Sequence, residues 1–356
     1  MAPHSALPVL DRPAERTADV VRVGVLGYGY WGPNLARNIA NSPATELVAI
    51  ADLDTNRLVG ARRAHPVPRL TTEFETVISD PSIDAVAIAT PAATHFALAS
   101  RAIANGKHVL ITKPLATRLK DAVTLVDMAR KMDVKILVDH TFLFTGAVRR
   151  MKQYIDEGEL GELYYFDSTR INLGIFQHDA NVIWDLAPHD LSILTYLVDR
   201  PVRSVAAIGA RHLGQAMENM AYVTLQYDDG FLAHIHVNWL APAKVRQTIV
   251  GGSKKMLVFN DMEMSDKLRV YDSGAQLAET AENIRKTLVQ YRTGDVLSPK
   301  IDKTEALELE INHFARVCRG EESAISSGEL GISVVRLIEA AQKSLRGGGA
   351  PVGVSL

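Results

Sequence analysis

At 356 residues the chain is long enough for two packed domains, and a composition 47% apolar and 22% charged is that of a water-soluble globular protein. A formal net charge of -2 gives no electrostatic reason to expect nucleic acid or an anionic membrane as a partner. The single cysteine, Cys318, excludes an internal disulfide framework and a multi-cysteine metal site, and no metal is expected.

The first 19 residues hold three prolines and no apolar core, so they read as a flexible N-terminal extension and not as a secretion signal. No later stretch is apolar for long enough to span a bilayer, and a cytoplasmic location is expected. Over residues 20–140, short apolar runs alternate with helical patterns. The runs Val21–Leu26, Leu47–Ala51, Arg69–Thr71, Ala85–Ala89, His108–Ile111 and Lys135–Val138 predict strands. Helices are predicted between them, over Pro33–Ala40, Thr55–Ala64, Thr72–Ser79, Thr94–Ala104 and Leu119–Met132. That alternation specifies an α/β domain, a parallel sheet covered on both faces, in which ligands bind beyond the carboxyl ends of the strands.

The first strand runs into Gly27-Tyr28-Gly29-Tyr30-Trp31-Gly32, and a helix follows. Gly27 permits the tight turn, Gly29 lets the backbone approach a pyrophosphate, and Gly32 lets the helix pack close to the strand. Asp52 ends the next strand, where a carboxylate accepts hydrogen bonds from ribose hydroxyls and repels a 2′-phosphate. With Asp54 adding a second negative charge and Arg57 expected to face solvent, NAD is favoured over NADP. Tyr28, Tyr30 and Trp31 belong to the same turn. Thr90, Pro91 and His95 follow the fourth strand, and they read either as cofactor contacts or as a helix cap with a packed histidine.

Lys113 falls just past the fifth strand, in Thr112-Lys113-Pro114. Beside a cationic nicotinamide, a partly desolvated lysine exchanges protons near neutrality; otherwise it is a snorkelling surface lysine. Lys113–Pro114 is a candidate cis bond. Further on, Trp184-Asp185-Leu186-Ala187-Pro188-His189-Asp190 leads into a helical run whose start is expected near Pro188. Asp185 and His189, four apart, then share a face, where a carboxylate fixes the imidazole tautomer and raises its basicity. The plainer reading is a helix cap and a packed histidine.

After His140 the pattern changes. A helix over residues 146–157 precedes strand-like runs at Leu163–Ile171, Val202–Gly209, Ala221–Tyr227, Leu232–Trp239, Gln247–Val250 and Lys255–Phe259. No helical pattern separates most of them, so residues 141–300 are expected to form an α+β domain with an open antiparallel sheet, which residues 301–356 complete with two helices and a tail.

Together GYGYWG (Gly27–Gly32), the segment Ala89–His95, GKHVLITKP (Gly106–Pro114), WDLAPHD (Trp184–Asp190) and the terminal helices around Glu310–Phe314 and Ala340–Leu345 resemble the glucose–fructose oxidoreductase, inositol dehydrogenase and MocA (Gfo/Idh/MocA) family. The resemblance spans Val21 to Val352. It implies a Rossmann domain followed by a substrate domain whose open sheet forms a homodimer or homotetramer. It implies Lys113 and His189 as the proton-transferring pair, with Asp185 orienting. The family pattern has Glu where this chain has Thr112. Arg170-Ile171-Asn172-Leu173-Gly174, with the two main motifs, looks most like members acting on nucleotide-linked sugars, such as UDP-N-acetylglucosaminuronate 3-dehydrogenases. Arg170, Asn172 and Trp184 are accordingly candidate substrate contacts, or structural polar groups. The implied activity is NAD-dependent interconversion of a secondary alcohol and a ketone on a sugar. Alternatives are a free cyclitol or sugar dehydrogenase, a redox-neutral glycosidase and a non-catalytic NAD(H)-binding sensor.

Overall fold

The computed structural model describes residues 19–65, 69–174, 180–277 and 289–354, so the N-terminal extension read from the sequence lies almost wholly outside the described residues. The first domain is a six-stranded parallel sheet in the order β3-β2-β1-β4-β5-β6, formed by β1 (Val21–Leu26), β2 (Thr45–Ala51), β3 (Arg69–Thr71), β4 (Ala85–Ile88), β5 (His108–Thr112) and β6 (Ile136–Asp139). Its middle strands are buried on both faces because β-branched and alanine side chains meet helices above and below. Five helices connect the strands: α1 (Gly32–Asn41), α2 (Thr55–Ala64), α3 (Phe74–Ile78), α4 (His95–Ala104) and α5 (Leu119–Lys131). The strand order reverses between β1 and β4, and that switch point opens the crevice for a ligand.

A short 3₁₀ turn, Thr141–Phe144, and α6 (Gly146–Asp156) lead into the second sheet. Its nine strands run in the order β16-β13-β12-β11-β7-β10-β9-β8-β17, where β12 is Met256–Asn260, β13 Leu268–Tyr271, β16 Val296–Leu297 and β17 Val352–Gly353, while β14 (Gly274–Leu277) and β15 (Val289–Arg292) pair apart from it. The strands that matter here are β7 (Leu163–Leu173), β8 (Val202–Ala210), β9 (Met220–Tyr227), β10 (Leu232–Asn238) and β11 (Leu240–Gly252). All its pairings are antiparallel except β7 with β10, which run parallel. The open antiparallel sheet expected from the sequence is present, with this one parallel pairing at its centre. The chain leaves β7, forms α7 (Val182–Leu197) and the β8–β9 hairpin, and returns alongside β7, a crossover that a parallel pair requires.

Helix α7 lies on one face of this sheet and contributes Ile183, Leu191 and Leu194 to a core with Phe166, Val223, Ile235 and Val250. The two terminal helices tie the domains together. Helix α8 (Ala306–Cys318) puts Ile311 and Phe314 against the first sheet. Helix α9 (Gly328–Arg346) divides its apolar stripe, with Val335 in the core of the first domain and Val334, Ile338 and Ala341 in that of the second. Among the described residues no helix is long and apolar enough to cross a membrane.

Candidate active site

The turn after β1 is built for close approach. Gly27 has φ +94°, and a Cβ there would sit 2.7 Å from the Ala89 carbonyl oxygen, so the turns after β1 and β4 are in contact. A Cβ on Gly32 would lie 2.2 Å from the Gly27 carbonyl oxygen. Among the described residues, a Cβ on Gly29 would meet within 4 Å the end of the Arg57 side chain alone, at 3.4 Å, which leaves the backbone open on that side. With the N-terminus of α1 directly behind it, this cradle fits a dinucleotide pyrophosphate.

Asp52 has more to do than meet a ribose. Its carboxylate is buried and accepts from the backbone N–H of Tyr28 (2.6 Å) and of Asp54 (2.8 Å). It therefore holds the turn in shape. Arg57 is not simply solvent-facing: its guanidinium bridges Asp52 (3.5 Å) and Asp54 (3.6 Å) beside the turn. The Tyr28 ring packs in the core, whereas Tyr30 is exposed. Trp31 donates its indole N–H to buried Asp139, which also accepts from the Thr141 hydroxyl at 2.5 Å. Glu310 of α8 is buried against that carboxylate; burial first and the Asp139 charge second push its carboxyl well above the usual range.

His95 requires correction as a cofactor contact. Its ring is buried, with Nδ1 2.8 Å from the Pro114 carbonyl oxygen and Nε2 2.9 Å from that of Thr90. It lies between the turn after β4 and the turn after β5, and burial holds the imidazole below its ordinary pKa, so the neutral ring donates to one of the two carbonyls. Thr90 and Pro91 remain at the crevice, with the Thr90 hydroxyl 2.7 Å from that of Thr94. Thr112 turns inward, donating to the Ile88 carbonyl at 3.2 Å. The Lys113–Pro114 peptide is cis.

Lys113 reaches across to α7. Its Nζ donates to the Asp185 carbonyl oxygen at 2.7 Å and lies 3.3 Å from the Asp185 carboxylate. Two expectations about this helix change. It begins at Val182, capped by Asn181, so Pro188 lies inside it and not in its first turn. A proline at 188 has no N–H for the Trp184 carbonyl, which loosens this turn, and the next carbonyl, that of Asp185, takes the lysine. Second, Asp185 does not pair with His189. Its other carboxylate oxygen accepts from the Trp239 indole N–H at 3.0 Å, and charged or strongly polar donors outcompete an uncharged imidazole.

His189 is left with a buried Nδ1 that has no hydrogen-bond partner among the described residues, and its ring meets Phe142 edge-on at 5.2 Å. Burial, then the charges of Lys113, Arg170 and Arg246, hold it well below the ordinary histidine pKa, so it is neutral at pH 7. His140, beyond β6, has no role assigned to it from the sequence. It is buried, both ring nitrogens lack hydrogen-bond partners among the described residues, and its pKa is lowered to about 3 by burial and by Lys113. Its position just past a strand end was the one signal available. Arg170 is a buried ion-pair partner of Asp190 (2.7 Å), and Asn172 follows it on the same face. Trp184 is half-buried and packs against the cores of both domains, so it joins them whether or not it also meets the substrate.

Residues 21–140 match the model of the oxidoreductase family with an NAD-binding Rossmann fold, and residues 148–258 match the model of the C-terminal domain of the same family. The chain belongs to the Gfo/Idh/MocA oxidoreductase family. It is 30% identical over 247 residues to the uncharacterized oxidoreductase YdgJ of Escherichia coli, covering 67% of this chain and 70% of that one. It is 25% identical over 343 residues to the myo-inositol 2-dehydrogenase of Thermotoga maritima, covering 91% and 96%. Among solved structures, the UDP-N-acetylglucosamine 3-dehydrogenase GnnA of Acidithiobacillus ferrooxidans superposes with a TM-score of 0.78 at 21% identity, covering 93% and 99%. As a member of the family the protein is a dehydrogenase with a nicotinamide-dinucleotide-binding Rossmann domain and a small-molecule substrate.

Proposed function

We propose that this protein interconverts a secondary alcohol and a ketone on a sugar, with NAD as the hydride carrier and a nucleotide-linked sugar, oxidised at C3, as substrate. One observation carries the reading. Lys113, Asp185 and His189 converge beyond the carboxyl end of β5, one strand from the turn that contacts the glycine cradle. The bound nicotinamide supplies the hydride acceptor and donor. His189, neutral and with Nδ1 unengaged, takes the hydroxyl proton during oxidation and returns it during reduction. The Lys113 ammonium, fixed by Asp185, steadies the oxygen as it loses that proton, and Trp239 keeps Asp185 in place. NAD is preferred to NADP because Asp52 and Asp54 put two carboxylates where a 2′-phosphate would lie, and Arg57 is engaged by both.

The arrangement of motifs supports the nucleotide-sugar assignment. The kinship to a myo-inositol dehydrogenase favours a free cyclitol as the second reading. NADH formation against nucleotide sugars, free sugars and inositols separates the two. Replacing Lys113 with Ala is expected to lower kcat by about 10²–10⁴-fold while the Kd for NAD changes little. Near-normal turnover in that variant would remove the assignment. We also propose a homodimer or homotetramer formed through the face of the second sheet opposite α7. There Tyr222 is 41% exposed and stacks on His236 at 4.3 Å, and Ile208 is 67% exposed. A monomeric mass by light scattering would count against it.

A further inference from the structure

Arg246 of β11 stands directly opposite Arg170 of β7 in the antiparallel register, so both side chains project from the same face, toward α7 and Phe142. Like charges directly opposite each other on neighbouring strands destabilise a sheet, and partial burial strengthens the repulsion. Local neighbours relieve it only in part. Arg170 gives Nε and Nη2 to Asp190, at 2.7 and 3.2 Å. Arg246 gives Nη1 to Asp261 at 3.3 Å, and Asp261 is shared with Lys267 at 3.2 Å. The Phe142 ring lies 4.4 Å from the Arg170 guanidinium carbon and 5.8 Å from that of Arg246, a contact that softens the charge without accepting a hydrogen bond in the plane.

What remains is two donors without acceptors. Among the described residues Arg170 Nη1 and Arg246 Nε are buried with no hydrogen-bond partner, and His189 Nδ1, whose ring packs on the same Phe142 as both guanidinium groups, has none either. A purely structural role for Arg170 accounts for its grip on Asp190, but not for its third nitrogen, nor for a second arginine placed opposite. His189 feels the charges of Lys113, Arg170 and Arg246 together, so whatever these nitrogens hold lies on the Lys113 side of the crevice.

Resting on the dehydrogenase reading above, we propose that the substrate carries an oxyanion, a carboxylate or phosphoryl group on the sugar, which sits between Arg170 and Arg246 beside His189. An oxyanion accepts from both guanidinium groups at once and cancels their mutual repulsion, whereas a hydroxyl offers lone pairs without the charge. Asn172, two residues along the same face of β7, is placed to meet a neighbouring hydroxyl.

The test uses the full-length protein with NAD and three probes: D-glucuronate, α-D-glucose 1-phosphate and D-glucose. One of the two anionic probes is expected to exceed glucose in kcat/KM by at least about tenfold, and which of them does so distinguishes carboxylate from phosphoryl. In Arg246→Met that advantage falls by about tenfold or more, chiefly through KM, while Arg246→Lys retains part of it. Equal use of glucose and both anions by the native protein would overturn the proposal, as would an unchanged preference in a folded Arg246→Met protein. Calorimetric titration of the three probes in the presence of NAD provides a readout independent of turnover. Anion binding that Arg246→Met abolishes supports the subsite even where no NADH forms, a result that counts against the dehydrogenase reading alone. Absence of anion binding in the native protein, together with absence of turnover, overturns the proposal.

Discussion

On the cofactor side of the crevice, the polar groups of the turns have partners within the protein, the buried Glu310 carboxyl beside Asp139 being an exception among the described residues. Asp52 accepts two backbone N–H groups, His95 spans two carbonyl oxygens, and Trp31 and Thr141 both donate to Asp139. On the substrate side, His140, His189, Arg170 and Arg246 all bury nitrogen atoms that have no hydrogen-bond partner among the described residues. Each such group costs about 1–3 kcal/mol relative to a satisfied one. The contrast shows what each half has to recognise. A dinucleotide is bound largely by backbone shape, so the cradle can be complete before the ligand arrives. A sugar is recognised through its own donors and acceptors, so the protein keeps the complementary groups unpaired until it binds.

The sharpest way to break this comparison is to change one residue on each side. Replacing His189 with Ala removes the unengaged base, and kcat is expected to drop by about 10²–10⁴-fold with NAD affinity unchanged. Gly32→Ala should do the reverse. A Cβ 2.2 Å from the Gly27 carbonyl oxygen forces the turn to open, and NAD affinity is expected to fall by about tenfold or more. Fluorescence titration with NADH beside steady-state kinetics reads both. If Gly32→Ala binds NAD normally, the cradle is not preformed as described.

The cofactor side was also the more legible in the sequence. Gly27–Gly32, Asp52 and Lys113 are placed by local pattern, because a strand end, a turn and a helix start are all encoded within a few residues. Other features depend on contacts between residues far apart in the chain. Arg246 faces Arg170 only through the register of two strands, and Trp239 meets Asp185 only because β10 returns parallel to β7. Pro188 was misplaced for a different reason: the rule against proline inside a helix is energetic, and tertiary packing from Ile183 to Leu194 outweighs it here. His95 was read as a ligand contact because its two carbonyl partners lie on separate turns, which no spacing reveals.

A smaller effect tests whether the imbalance between the two sides is real in solution. His140 titrates near pH 3 in the folded protein and near 6.5 when unfolded. The unfolded chain therefore binds the extra proton between those values. The stability contributed by the neutral ring is complete above pH 6.5 and is lost as pH falls toward 3. The slope approaches about 1.4 kcal/mol per pH unit for one such imidazole. His140→Leu should flatten the urea-derived stability curve over that range by about this amount. Glu310 has the opposite sign. Its folded carboxyl stays protonated above its unfolded pKa, so its contribution is present in acid and lost as pH rises. Glu310→Gln should therefore gain on the native protein as pH increases from 5 to 8. Parallel curves for either variant would mean that the buried groups titrate as they do in water.

The least effect is expected at the residue that departs from the family pattern. Thr112 stands where the resemblance leads one to expect a glutamate, and its hydroxyl is turned into the sheet, 3.2 Å from the Ile88 carbonyl and 3.4 Å from His95 Nε2. In that position it helps His95 hold two turns together but does not approach the Lys113–Asp185 pair. Thr112→Val keeps the shape and removes the hydrogen bond, so stability should fall by about 1 kcal/mol with turnover within twofold of native. A loss of turnover much larger than the loss of stability would place Thr112 in the proton-handling machinery on the substrate side. It would then be an exception to the division between a satisfied cofactor side and an unsatisfied substrate side, since a fully bonded residue would be acting in the chemistry.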